Sequence, residues 1–214
     1  MRYLALLTLL LIAPQAALAW GAVGHQLVCG AAEEHLSKAG RQFVKEVSGN
    51  GKFLAGGKLP FPQSCLWPDK VKYSTRKDTY EHHFLNIPAT SNSINLKRDC
   101  ASLSCLPVGI QRSITYLGSP AAGEREKGRQ AAALRYLGHY LGDLHQPLHV
   151  SHAEDWGGNK IKVSWYSKKS NLHSVWDTNL IDKSGLTFPG STGMIAKREV
   201  NPGAINIPGW FEDS

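Results

Sequence analysis

No apolar run in this sequence is long enough to span a bilayer, which takes about 20 residues. The apolar stretch from Leu4 to Ile12 follows the lone charge of Arg2 and precedes Ala17-Leu18-Ala19, a small-x-small site that signal peptidase accepts. The pattern predicts a signal peptide over 1–19, cleavage after Ala19 and a mature chain that starts at Trp20 with no membrane anchor. There is no Asn-x-Ser/Thr sequon, so N-glycosylation is not expected. No Cys-x-x-Cys pair occurs, which argues against a site built from cysteine alone. Internal repeats, linkers and low-complexity tracts are also missing, so residues 20–214 are expected to form one domain.

Four cysteines are present, and in an exported chain they suggest disulfides. Three pairings are possible. Cys100 and Cys105 share a short polar loop and can close a small ring, which leaves Cys29 to pair with Cys65 by elimination. The formal net charge is +7 at pH 7. A basic exported protein suits a polyanionic partner such as nucleic acid or an anionic membrane surface.

Periodicity predicts a mostly helical domain. Val23, Leu27, Val28, Ala31, Ala32 and Leu36 form an apolar stripe over 22–37. A second helix is expected over 39–47, ending near Gly49 and Gly51. Pro60, Pro62 and Pro68 mark an irregular stretch. A helix led by proline is expected over 107–117. The longest, over 125–145, carries Ala131, Leu134, Leu137, Leu141 and Leu144 and is stopped by Pro147. Residues 159–166 alternate with the strand period of two, which allows one small β-hairpin. A further helix is expected over 171–180, and Trp210 reads as the start of another.

Histidine is abundant, with nine residues concentrated in segments that also carry aspartate. His139 and Asp143 stand four apart in the longest helix and so share a face. His173 and Asp177 repeat that spacing. Two such pairs favour a metal core between facing helices over a single structural hydrogen bond. His149, in Gln146-Pro147-Leu148-His149, is placed to turn back toward it. Asp69 in Trp67-Pro68-Asp69 and His83 in His82-His83-Phe84 carry little signal alone. A free amine at Trp20 can chelate an ion together with its own carbonyl oxygen, and His25 follows five residues later.

These segments together resemble the single-strand-specific trinuclear-zinc nucleases, the S-one/P-one family, which is related to the bacterial zinc phospholipases C. The resemblance rests on Trp20-Gly-Ala-Val-Gly-His25, Trp67-Pro68-Asp69, His83-Phe84, the run from Gly138 to His149, Gly157-Gly158-Asn159-Lys160 and the run from Asn171 to Asp177. It implies a single-domain helical bundle around three zinc ions. Asp69, His83, His139 and Asp143 would hold one ion. Trp20 and His25 would hold a second, with Asp143 bridging. His149, His173 and Asp177 would hold the third. His35, His82, His145 and His152 match no ligand position.

The resemblance further implies hydrolysis of phosphodiester bonds in single-stranded DNA and RNA to 5′-phosphate products, with 3′-nucleotides as further substrates. Asp69 would orient the attacking water, and Lys72 and Asn159 would contact phosphate. Phe84 and Trp156 would stack on bases, and Asn86 stands where relatives often carry an aspartate that reads a base edge. Phospholipases typically carry Glu where Asp177 stands. A secreted or periplasmic monomer with no stable protein partner is expected. Family members continue for several dozen residues past Ser214, so their closing C-terminal helices would be missing here.

Overall fold

The computed structural model describes residues 20–51, 54, 56–197 and 209. The expected signal peptide and the expected helix at Trp210 lie outside these residues. Helix α1 (Ala22–His35) opens without a side-chain cap. Its end is instead pinned by Gly21 N–H, which donates to Asp177 O at 2.6 Å. Helix α2 (Lys38–Gly49) is capped by Ser37, whose Oγ accepts from Gly40 N–H at 3.0 Å. The proline-marked stretch is not irregular throughout. It holds the short helices α3 (Phe61–Ser64) and α4 (Trp67–Val71), each with proline in its first turn, where a missing N–H costs nothing. A 3-10 turn over Lys77–His83 then leads into strand β1 (Leu85–Ile87).

Helix α5 (Leu96–Asp99) precedes α6 (Leu106–Gly118), which packs against α7 (Glu124–Leu144). Glu124 and Glu126 in the first turn of α7 suit its positive end. Leu85, Leu106, Ile110, Tyr140 and Leu144 form the core between these elements. A second apolar cluster joins α1, α2, α3 and α7 through Cys29, Val44, Val47, Phe61, Cys65 and Leu134. Both expected disulfides form, Cys29–Cys65 and Cys100–Cys105. Closing the 36-residue separation of the first removes roughly 3–4 kcal/mol of unfolded-chain entropy.

After α7 a 3-10 turn (Pro147–His149) leads into β2 (Val150–His152), which pairs in parallel with β1. This pair was not expected, because three-residue strands display no alternation. The expected hairpin is present as β3 (Lys162–Trp165) and β4 (Lys168–Asn171). It starts later than the alternation suggested, since residues 159 and 160 belong to the preceding turn. The helix expected over 171–180 is a composite of α8 (Leu172–Ser174), a π turn (Val175–Asn179) and α9 (Leu180–Ser184). The short α10 (Thr192–Ala196) packs on α1.

One difference bears on the site. Of the predicted stripe only Leu27 lies on the inward face of α1, which is otherwise Gly24, His25, Cys29 and Gly30. Helix α7 meets it with glycine. A Cβ on Gly138 would stand 2.6 Å from Cys65 Sγ and 2.7 Å from Cys29 Sγ, and one on Gly142 would stand 2.8 Å from His25 Nδ1. Small residues let the two backbones approach closely enough for His25 to reach α7. We expect Gly138→Ala to destabilise the protein by about 1–3 kcal/mol through overpacking. Gly128→Ala, whose Cβ would meet nothing within 4 Å, should instead stabilise it by about 0.8–1 kcal/mol through helix propensity. Denaturant titration checks both, and a neutral Gly138→Ala would contradict the close approach.

Candidate metal centre

Asp143 lies at the centre of the site with no solvent exposure. Its two oxygens face different imidazoles. Oδ2 is 3.3 Å from His139 Nε2, one turn earlier on α7, and 3.1 Å from His83 Nδ1 at the end of the 3-10 turn. Oδ1 is 3.3 Å from His25 Nε2 on α1. Asp69, on α4, brings Oδ1 to 3.4 Å from His139 Nε2 and 3.7 Å from His83 Nδ1. The His25 and His139 rings stack with centroids 3.8 Å apart.

A second group adjoins the first. His173 Nε2 is 3.0 Å from Asp177 Oδ2, across the junction of α8 and the π turn. The His149 ring centroid lies 5.0 Å from that of His173. The parallel strand pair explains this placement, because it sets the residues preceding β1 and β2 side by side, and His149 Nδ1 donates to His83 O at 2.6 Å.

Backbone carbonyls orient three of the rings. His139 Nδ1 donates to Cys65 O at 2.7 Å, His149 Nδ1 to His83 O, and His173 Nδ1 to Gly157 O at 2.6 Å. Each bond takes up Nδ1–H and directs Nε2 into the site, where it can bind an ion once it carries no proton. Gln146, fully buried, donates to Asp177 Oδ1 at 2.5 Å and accepts from Leu148 N–H at 2.6 Å. Gly157 has φ +57°, and a Cβ there would fall on Leu148 O, so glycine is what allows the Gly157 carbonyl to meet His173.

The residues fit a metal cluster. His25 Nε2, His149 Nε2, His173 Nε2 and Asp143 Oδ1 are buried without a hydrogen-bond partner. Several face one another at salt-bridge distance yet lack hydrogen-bond angles, an arrangement that a cation between them resolves. Three sets of ligand atoms each lie within 4.8 Å of one another: His25, Asp69 and His139; His83, His139 and Asp143; His149, His173 and Asp177. Neutral imidazole and carboxylate donors of this kind suit zinc.

Electrostatics prepare most of these donors. Burial pushes His25, His83 and His149 down, His83 to about 3. They are therefore neutral ligands at ordinary pH. Burial opposes the charge of His139 too, but Asp143 and Asp69 outweigh it and lift the imidazolium to about 10. Burial also opposes ionisation of Asp69 and Asp143, yet the His139 charge holds both below the usual carboxylate range.

All the expected ligand side chains from His25 to Asp177 thus converge. Trp20 is half-buried beside them: the Gly142 position that abuts His25 is also 3.8 Å from Trp20 Cδ1. Lys72 is buried, not an ordinary surface lysine, with Nζ 2.6 Å from Asp69 Oδ1. Phe84 is half-buried and edge-on to Tyr80. Asn86 is exposed on β1. Asn159 donates its side-chain amide to Trp156 O at 2.9 Å. Trp156 is 65% exposed at φ +56°, so its indole is displayed on the surface and not packed in the core. None of His35, His82, His145 and His152 falls in a ligand set among the described residues. Sequence reasoning missed the roles of Gln146 and of the Cys65, His83 and Gly157 carbonyls. Backbone acceptors leave no signature in residue identity.

One consequence is measurable. Without metal, His139 is protonated at pH 8, below its own raised value but above that of a free histidine. A ligand must be neutral, so zinc loading at pH 8 should release about one proton from this residue. A pH-indicator titration checks it, and zinc uptake with no proton release would contradict the His139 assignment.

A family model described as S1/P1 Nuclease matches residues 20–201. Endonuclease 2 of Arabidopsis thaliana is 37% identical over 170 residues, covering 76% of this chain and 56% of that protein. Endonuclease 3 of the same plant is 33% identical over 205 residues, covering 91% and 67%. Nuclease S1 of Aspergillus oryzae is 30% identical over 172 residues, covering 77% and 55%. The chain thus spans about half to two thirds of the length of these curated relatives. With the matched region running through every residue of the buried His/Asp cluster, the chain belongs to the S1/P1 nuclease family.

Proposed function

We propose that this protein is a secreted zinc-dependent endonuclease that cleaves single-stranded DNA and RNA to 5′-phosphate products and also accepts 3′-nucleotides. The observation that carries the reading is the division of labour at Asp143, whose two oxygens face separate imidazole groups, as a carboxylate shared by two ions must. Asp69, His83, His139 and Asp143 would hold one zinc, and His149, His173 and Asp177 another. His25 would hold a third together with the Trp20 amine and carbonyl, which exist as ligands once cleavage after Ala19 has freed that amine. The Gly21–Asp177 bond supports this, because it fixes the chain immediately after Trp20.

Bound zinc supplies Lewis-acid stabilisation of phosphoryl charge and a water of lowered pKa. The Asp69 carboxylate, held charged beside Lys72, would orient an attacking water toward phosphorus. Hydrolysis breaks the bond from phosphorus to the 3′ oxygen and leaves the phosphate on the 5′ side. The Lys72 ammonium, buried next to Asp69, offsets charge on a non-bridging oxygen. Asn159 hydrogen-bonds phosphate by giving up its contact with Trp156 O. Phe84 and the exposed Trp156 supply stacking faces, which unpaired bases present and duplexes hide. Asn86, exposed two residues after Phe84, contacts a base edge.

The names of the relatives, the basic charge and the two disulfides support a nucleic-acid substrate and an oxidising compartment. No described helix is long and apolar enough to cross a membrane. A monomer suffices, because every proposed ligand comes from one chain.

A parallel assay on single-stranded DNA, RNA, duplex DNA and phosphatidylcholine, with and without chelator, tests the reading. We expect turnover on the single strands, lost on chelation and restored by zinc. Asp143→Ala should abolish it and lower metal content. Lys72→Met should keep its metal and lose about 10²–10³-fold in kcat, as removal of one electrostatic stabiliser does. Turnover on phosphatidylcholine alone, or an active Asp143→Ala variant, would overturn the proposal.

A further inference from the structure

A polar cavity lies beside the cluster, walled on α7 by Arg129, Ala132, Ala133, Tyr136 and Tyr140. It has a volume of about 340 Å³ and opens between α6, α7 and the 3-10 turn that ends in His83. That volume is within the range of about 300–1,000 Å³ typical of small-ligand sites. Three arginines line it, Arg76 from the turn, Arg112 from α6 and Arg129 from α7, together with His82. The one acid on its wall, Asp78, is neutralised by Arg76 in a two-bond pair, Nε to Oδ1 at 3.1 Å and a terminal nitrogen to Oδ2 at 3.0 Å. Among the described residues Arg112 and Arg129 pair with no carboxylate, and the contact of Arg112 with His82 Nε2 is a long 3.5 Å. Positive charge here therefore exceeds negative charge.

The inner wall is aromatic: Tyr136 and Tyr140 are 7% and 1% exposed, and their hydroxyls are buried beside the Thr79 side chain and do not open onto the cavity. The guanidinium forks of Arg112 and Arg129, with the one acid already paired, match a tetrahedral anion with several oxygens.

We infer that this cavity is a phosphate-binding site separate from the metal centre, occupied either by free phosphate or by a phosphate of a long bound strand. None of its arginines belongs to the proposed catalytic machinery. Tyr140, however, meets the His83 ring edge-on at 5.2 Å, so an occupant would also brace a wall of the cluster.

Equilibrium dialysis of the zinc-loaded protein with labelled inorganic phosphate, at constant ionic strength set by chloride, tests this without relying on activity. The wild type should bind one more equivalent than Arg112→Gln/Arg129→Gln, and Arg129→Gln alone should weaken that equivalent at least tenfold. Both arginines are exposed, so the variants should fold, as thermal melting verifies. A second arm compares KM for a dinucleotide and a long single strand. A rise for the strand alone in the double variant identifies the strand's own phosphate as the occupant. Unchanged KM values with loss of the extra equivalent identify free phosphate. Equal phosphate binding and equal KM values in wild type and double variant would overturn the inference.

Discussion

The arrangement depends on a carboxylate buried where no water reaches it. An isolated charge at Asp143 would cost several kcal/mol even after relaxation, so it must be compensated by whatever surrounds it. The charge of His139, one turn earlier, supplies that compensation, while His83 from the 3-10 turn and His25 from α1 face the same carboxylate. These elements can meet only because glycine clears the way on α7, Gly138 for the disulfide and Gly142 for His25. The Cys29–Cys65 bridge then ties α1 to the segment whose Cys65 carbonyl orients His139. Removal of one member would leave other charges buried and unpaired, which is why the site and the helix packing are one structural problem.

The helical frame was legible where a pattern repeats over several turns. Helices α2, α6 and α7 fall within a residue or two of the sequence expectation, because their apolar spacing and proline stops are strong. The His139/Asp143 pair was legible for the same reason. His173 and Asp177 keep their predicted contact although the helix between them widens into a π turn, which spacing alone does not reveal. Beyond Leu27 the inward face of α1 was not legible, because it is built for closeness to α7 from glycine, a bridged cysteine and histidine, which do not form an apolar period. The β1–β2 pair was missed because each strand is too short to show a period, yet it is what brings His83 and His149 together.

The same contrast holds in the site. Side-chain ligands could be named from the sequence since their residue types are chemically distinctive. The groups that aim them could not. A carbonyl at Cys65, His83 or Gly157 is shared by every residue type, and its role depends on the fold bringing it within 2.6–2.7 Å of an imidazole.

The central claim is that metal ions sit around a shared Asp143. Anomalous X-ray scattering at the zinc edge from crystals of the mature protein tests it directly. The account predicts three peaks, two of them flanking the Asp143 carboxylate and the third among His149, His173 and Asp177. A single peak, or peaks that leave Asp143 without a metal neighbour, would contradict it.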